Sequence, residues 1–334
     1  MLLFFQFILC ATLIFLTATQ LSQSADILAE KTGLGRTWVG AILLAGATSL
    51  PELATGISAV VIFNAPDLAA GGIFGSCLFN LLILAFLDIF AGPTPLLQRA
   101  QVGHALAAGL GSILLGIGAI GIILAENKKN LTFGWVGAPS ILLLLVYFTS
   151  ARIIAQFEIK RRIEALEEAE ILQYEHIKPK LAYLRFALLS LAITILGVWL
   201  ASLGQEIATV TGLGESFIGS LLLAATTSLP EIIAGFAAIQ LNAVDLAVSN
   251  VFGSNIFNMA ILAIYDLTYI RGDLWSNISS VHIFTAIIAM MMTSVGIIGL
   301  IYSAAHRPSK LYITWDGIVL ILLYITGMYI IYIS

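Results

Sequence analysis

Apolar positions fill long runs of this chain, and polar positions collect in short breaks between them. A membrane span needs about 20 mostly apolar residues. Ten runs reach that length: 2–22, 36–63, 67–90, 102–125, 132–155, 181–203, 215–241, 245–268, 281–303 and 311–332. The breaks carry turn and stop signals: Gly92-Pro93-Thr94-Pro95, Glu126-Asn127-Lys128-Lys129-Asn130 and Arg307-Pro308. One polar stretch is longer. Residues 156–180 are rich in Lys, Arg and Glu and have helix-forming composition. They are expected to extend the fifth span until Pro179 stops it. The pattern predicts an all-α integral membrane protein with ten transmembrane helices.

The pattern is written twice. Residues 2–24 align without a gap to 181–203, and Thr32-Gly33-Leu34-Gly35 aligns to Thr211-Gly212-Leu213-Gly214. LLAGATSLPE at 43–52 returns as LLAATTSLPE at 222–231, and GSCLFN at 75–80 returns as GSNIFN at 253–258. His104, Gly118 and Gly121 match His282, Gly296 and Gly299. Each copy holds five spans, and an odd number makes the second copy enter the membrane upside down, as in many secondary transporters. The expected plan is a first five-helix repeat (1–155, signature 43–80), a charged cytoplasmic linker (156–180) and an inverted second repeat (181–334, signature 222–258).

Basic residues give an independent check. With the linker inside, that side holds Lys31, Arg36, Arg99, Arg152, Lys160, Arg161, Arg162, Lys178, Lys180, Arg185, Arg307 and Lys310, against Lys128, Lys129 and Arg271 on the other. This is a positive-inside distribution, and it puts both termini outside the cell membrane. The first run lacks a basic n-region and has a full-length partner at 181–203, so it is expected to be a span and not a cleaved signal peptide.

Composition agrees. The chain is 60% hydrophobic and 10% charged with a mean hydropathy of +1.02, whereas soluble domains carry about 25% charged residues. The net charge of −4 gives no reason to expect nucleic acid. Cys10 and Cys77 lie in separate spans, so no disulfide framework is expected. No zinc spacing, Walker motif or dinucleotide motif is present, and no nucleotide-binding domain would fit. Neither a cofactor nor an obligate protein partner is expected; the lipid bilayer is the surrounding phase.

The chemistry lies in the repeated motifs. Pro51 and Pro230 cannot donate to the carbonyls of Ala47 and Thr226, and their rings open those turns. Carbonyls freed inside a bilayer need a partner, and a cation is one. Thr48, Ser49, Thr227 and Ser228 add hydroxyls, and Glu52 and Glu231 add carboxylates. A carboxylate in a span is a functional hypothesis by default. An all-oxygen set suits a hard cation such as Ca2+, and neither motif holds the imidazole or thiolate of a zinc or copper site. Proline kinks re-satisfied by Ser and Thr are common in spans, but kinking alone does not account for the glutamates. In the second motif, Ser76 and Asn80 share a helix face, as do Ser254 and Asn258. Gly75 and Gly253 allow close helix approach.

Other features are plainer. Asp67 and Asp245 are expected to be N-caps of their own spans. His104 and His282 are expected at helix interfaces, with pH sensing as the alternative. Cys77 stands where the second copy has Asn255 and is expected to pack. Glu164, Glu167, Glu168 and Glu170 read as a solvated face.

ATSLPE with GSCLFN, and TTSLPE with GSNIFN, resemble the two signature repeats of the Ca2+/cation antiporter superfamily, and the five-plus-five plan covers the whole chain. The prokaryotic sodium/calcium exchanger branch is the most similar. The resemblance implies antiport of Ca2+ against Na+ by alternating access. It implies that Glu52 and Glu231 bind both ions competitively and that the carbonyls of Thr48 and Thr227 join the Ca2+ shell. Flanking Na+ sites would use the carbonyls of Ala45 and Ala224 and the hydroxyls of Ser49, Ser76, Ser228 and Ser254. Asn80 and Asn258 would lie at the centre. Potassium-dependent members carry an aspartate where this chain has Asn258, which speaks against K+ dependence. The proton-coupled branch has Gly-Asn ahead of the first glutamate, which this chain lacks; a Ca2+/H+ exchanger stays as the alternative. A cation channel would use the same oxygens without alternating access, and an enzyme would need a nucleophile–base pair that no motif supplies. The resemblance also implies that the first and sixth spans slide against the rest.

Overall fold

The structure, a computed structural model, describes residues 2–91, 94–129, 131–165, 174, 177–210, 225–303 and 314–333. Its helices are α1 (Leu2–Thr32), α2 (Gly35–Thr48), α3 (Leu50–Val61), α4 (Pro66–Phe90), α5 (His104–Glu126), α6 (Ala138–Ala165), α7 (Pro179–Val210), α8 (Leu229–Gln240), α9 (Val244–Thr268), α10 (Val281–Ser303) and α11 (Trp315–Ile333). Among the described residues, eight are long and apolar enough to cross a membrane, and α2 with α3, bent by 42°, makes a ninth candidate span. The expected seventh span begins in residues 211–224, which lie outside the described residues; α8 is its second part.

Burial separates the helices. Of the spanning helices, α9 and α4 are the most buried and α1 and α11 the least. The two central helices pack on each other, and α9 also meets α2, α5, α6 and α8. Small residues permit this: a Cβ at Gly253 would collide with the backbone of Ala41 on α2. Around this core α1 lies along α7. Their outer faces expose Phe5, Ile8, Leu16, Leu184, Leu188 and Ile195, as suits a lipid-facing surface. The pairing crosses over: α1 packs on α8, and α7 on α3.

Four expectations need correction. First, α1 runs on from 22 to Thr32 because its polar continuation is buried. Ser22, Ser24 and Asp26 are 0–1% exposed, and Asp26 accepts two hydrogen bonds from Arg36, at 2.6 and 3.2 Å. Second, Pro179 opens α7 and does not end the preceding helix. A missing N–H costs nothing in a first turn. Third, residues 132–137 are not helical. Thr132–Phe133 (β1) pairs antiparallel with Val136–Gly137 (β2) about Gly134, whose φ of +70° suits only glycine well.

Fourth, Asp67 and Asp245 do not cap their own helices, where Ala65 and Ala243 stand at the N-cap. They reach across to the segments that lead into α10 and α5, each taking one main-chain amide there. Asp67 Oδ1 accepts from Ser279 N at 2.7 Å and lies 3.3 Å from His282 Nε2. Asp245 Oδ1 accepts from Gln101 N at 2.9 Å and lies 2.8 Å from His104 Nε2. Both histidines sit at helix interfaces, as expected; the His282 ring stacks on Phe74 at 5.7 Å.

A second matched pair of acids was not anticipated. Asp88 ends α4 and accepts from Leu96 N at 2.6 Å and Thr314 Oγ1 at 2.9 Å. Asp266 ends α9 and accepts from Gly137 N at 2.7 Å and Ser140 Oγ at 2.6 Å. Each ties a core helix to the start of an outer one. An acid in a last helical turn opposes the helix dipole, so its presence in both copies was a signal that outside donors must meet it.

From the linker, Tyr174 reaches α1: its hydroxyl donates to Asp26 Oδ2 at 3.0 Å and its amide to Glu30 Oε1 at 3.0 Å. Burial, and then the neighbouring Asp26 carboxylate, push the phenol up to about 12, so it stays a donor.

Candidate cation site between two broken helices

The two proline motifs break their helices at the same residue. Ser49, between α2 and α3, has φ −91° and ψ 6°; Ser228, just before α8, has φ −85° and ψ 5°. Pro51 and Pro230 follow in the first turns of α3 and α8, and Glu52 and Glu231 stand in those turns. A helix N-terminus favours a negative charge, so each carboxylate is placed where the break itself stabilises it. Both are buried, at 5% and 1% exposure.

The breaks serve each other. Ser49 Oγ donates to Glu231 Oε1 at 2.9 Å. Ser228 Oγ lies 3.4 Å from Glu52 Oε1 and 3.5 Å from Ser76 Oγ. Thr227 joins Ser228 in bonding the Glu52 carboxylate. Tyr265 of α9 donates to the main-chain carbonyl of Glu52 at 2.7 Å, which pins the first turn of α3. Thr48 turns its hydroxyl toward its own helix, 3.1 Å from Leu44 O and 3.3 Å from Ala45 O.

The asparagines line the adjoining wall. Asn80 Nδ2 donates to Asn255 Oδ1 at 3.2 Å, and Asn255 Nδ2 donates to the carbonyl of Cys77 at 3.2 Å. Asn258 Nδ2 lies 3.8 Å from Cys77 Sγ. Cys77 therefore packs, as expected, and also anchors both amides.

Among the described residues, five buried oxygens of this set have no protein hydrogen-bond partner: Glu52 Oε2, Glu231 Oε2, Asn80 Oδ1, Asn258 Oδ1 and Ser254 Oγ. Nearly all buried polar groups in proteins are paired, and in a bilayer each orphan costs several kcal/mol. With both glutamates ionised, four of the five can only accept. Such a group is electronegative and suited to a bare cation. Among the described residues no cluster of three His, Cys, Asp or Glu side chains could hold a metal ion, so amides and hydroxyls must complete any ion shell here.

Of the site residues expected from sequence, Ala224 lies outside the described residues. The structure joins Glu52 with Ser228, which also reaches Ser76, and Glu231 with Ser49. Asn80 and Asn258 meet through Asn255 and Cys77. The Ala45 carbonyl already accepts from Ser49 N at 3.0 Å. Asn255 and Tyr265 were not singled out by sequence. The available signal was slight: Asn255 is an amide where the other copy has a thiol.

A bundle of apolar helices around two buried, glutamate-bearing helix breaks defines a polytopic α-helical membrane protein with a polar centre. Residues 2–152 and 181–333 match the sequence model of the sodium/calcium exchanger protein family, and the chain belongs to that family. Among curated proteins it is similar to an uncharacterized membrane protein of Methanocaldococcus jannaschii, 25% identical over 296 residues, spanning 87% of this chain and 85% of the relative. The inner membrane protein YrbG of Escherichia coli is 25% identical over 250 residues, spanning 75% and 74%. Among solved structures, the sodium-calcium exchanger NCX_Mj soaked with 10 mM Na+ and 10 mM Sr2+ superposes with a TM-score of 0.72 at 20% identity, covering 98% of each chain. At that identity the likeness is one of fold.

Proposed function

We propose that this chain is a secondary antiporter that exchanges Ca2+ for Na+ by alternating access at a site between the two helix breaks. The observation that carries the reading is the set of five partnerless oxygens around Glu52 and Glu231. Two carboxylates facing one cavity repel when empty and ionised. One Ca2+, two or more Na+, or two protons relieve that repulsion. Shared ligands make occupancy exclusive, and exclusivity couples the two fluxes.

The proposed ion ligands are Glu52, Glu231, Ser49, Ser228, Ser76, Ser254, Asn80 and Asn258, with main-chain carbonyls of Thr48, Thr227, Ala45 and Ala224. The proposed architecture is ten spans in two inverted repeats, 1–155 and 181–334. The matched breaks, the matched aspartates and the crossed packing of α1 on α8 and α7 on α3 support it. The chain is placed in the cell membrane with both termini outside. The NCX_Mj structures, soaked with Na+ and with Ca2+ or Sr2+, support these ions as cargo.

Uptake into proteoliposomes tests the reading. An outward Na+ gradient should drive Ca2+ uptake, K+ should be neither required nor moved, and a membrane potential should change the rate when more than two Na+ exchange for each Ca2+. Uptake that ignores Na+ and follows a pH gradient would replace this reading with Ca2+/H+ exchange. Flux without counterflow would make the protein a channel.

A further inference from the structure

Three groups in the wall of the site are oriented in one direction. The main-chain carbonyl of Cys77 can only accept a hydrogen bond. Asn255 meets it with Nδ2 at 3.2 Å, so the Oδ1 end of Asn255 points the other way. That oxygen lies 3.2 Å from Asn80, and only Nδ2 of Asn80 can donate to it. The Oδ1 of Asn80 is therefore turned away from Asn255, and it is one of the five buried oxygens without a protein partner. Which end of an amide points where is usually a matter of network logic; here a main-chain carbonyl fixes the whole chain.

The direction matters because the two ends of an amide have opposite effects on a cation. Oδ1 coordinates it, and Nδ2 repels it. Asn80 and Asn255 are both buried, at 1% and 2% exposure, so bulk water does not compete for the orienting bond in this conformation. Among the described residues Asn258 meets a softer partner, its Nδ2 lying 3.8 Å from the Cys77 thiol.

We propose that Asn255 is a positioning residue that holds the Asn80 amide with its oxygen toward the transported cation, and so sets cation affinity without touching the ion. The proposal rests on the exchanger reading above. The test is Na+-driven Ca2+ uptake into proteoliposomes, with half-saturating Ca2+ and maximal rate read separately. Asn255→Leu, close in volume, should raise half-saturating Ca2+ about tenfold, the scale of one lost hydrogen-bonded ligand, with the maximal rate largely kept. Adding Asn80→Asp to Asn255→Leu should restore affinity, because a carboxylate presents oxygen at both ends and needs no orientation. If the leucine variant does not accumulate, Asn255→Ala takes its place. Unchanged half-saturation in the leucine or alanine variant overturns the proposal. So does failure of Asn80→Asp to rescue, since a packing defect would not be repaired by a new oxygen. If the unaltered chain moves no Ca2+, the exchanger reading falls first and this inference with it; if it does and Asn255 proves indifferent, only this inference falls.

Discussion

At the scale of the residue, the two glutamates dominate. Each is a buried carboxylate with one oxygen on a serine of the opposite break and the other without a protein partner. Glu52→Gln or Glu231→Gln keeps the shape and one hydrogen bond but removes the charge that offsets cation dehydration. Either variant should fold, seen as a monodisperse membrane protein in detergent, and should lose Na+-driven Ca2+ uptake down to the level of empty vesicles. Near-normal uptake by either would remove the site. These glutamates, with Ser49, Ser76 and Ser228, were legible in the sequence because an acid inside an apolar run is costly, and a cost met twice at matched positions points to function. Asn255, Asp88 and Asp266 were less legible. Their partners lie far along the chain, Asn80 being 175 residues from Asn255, and no local pattern specifies a contact made only by packing.

At the scale of the element, proline located the breaks, and the structure adds what surrounds them. Gly197 on α7 lies against Pro51, and a Cβ there would collide with the proline ring. α7 and α1 are the helices expected to slide, and α3 is the broken half-helix over which α7 passes. Gly197→Val should therefore slow maximal exchange several-fold while equilibrium Ca2+ binding in detergent stays close to that of the parent. An unaltered maximal rate would show that this contact is not on the sliding path. Element ends were the least legible part of the chain. α1 overran its apolar stretch because Asp26 found Arg36, and residues 132–137 left the helix for a hairpin about Gly134. In both cases tertiary partners or a single φ overrode composition.

At the scale of the molecule, the order of the apolar helices followed from the alternation of apolar runs and breaks, and the repeat suggested the inverted plan. The way the helices nest did not follow, since apolar surface alone does not say which helix lies in the middle. The expected orientation comes from the basic residues. In a variant lacking Cys10 and Cys77, a membrane-impermeant thiol reagent applied to intact cells should label a cysteine placed at Lys128 and spare one placed at Ala165. The reverse pattern would turn the whole bundle over.

The hydrogen bonds at the site have one more consequence, for how the protein is made. Ser49 and Glu231 are 182 residues apart, and Ser228 and Glu52 are 176 apart. Neither half of the chain contains a complete cage. The ribosome delivers Glu52 176 residues before Ser228, so the first half is made before that acid's serine partner exists. On the exchanger reading, cargo would find no complete ligand set in the first half, and ion affinity would arise only once both halves have met. The charged linker is the place where the chain can be cut without severing any of these bonds. Residues 1–165 and 174–334 made as separate polypeptides in one cell should assemble into an active exchanger, while either alone should bind no Ca2+ and be cleared by quality control.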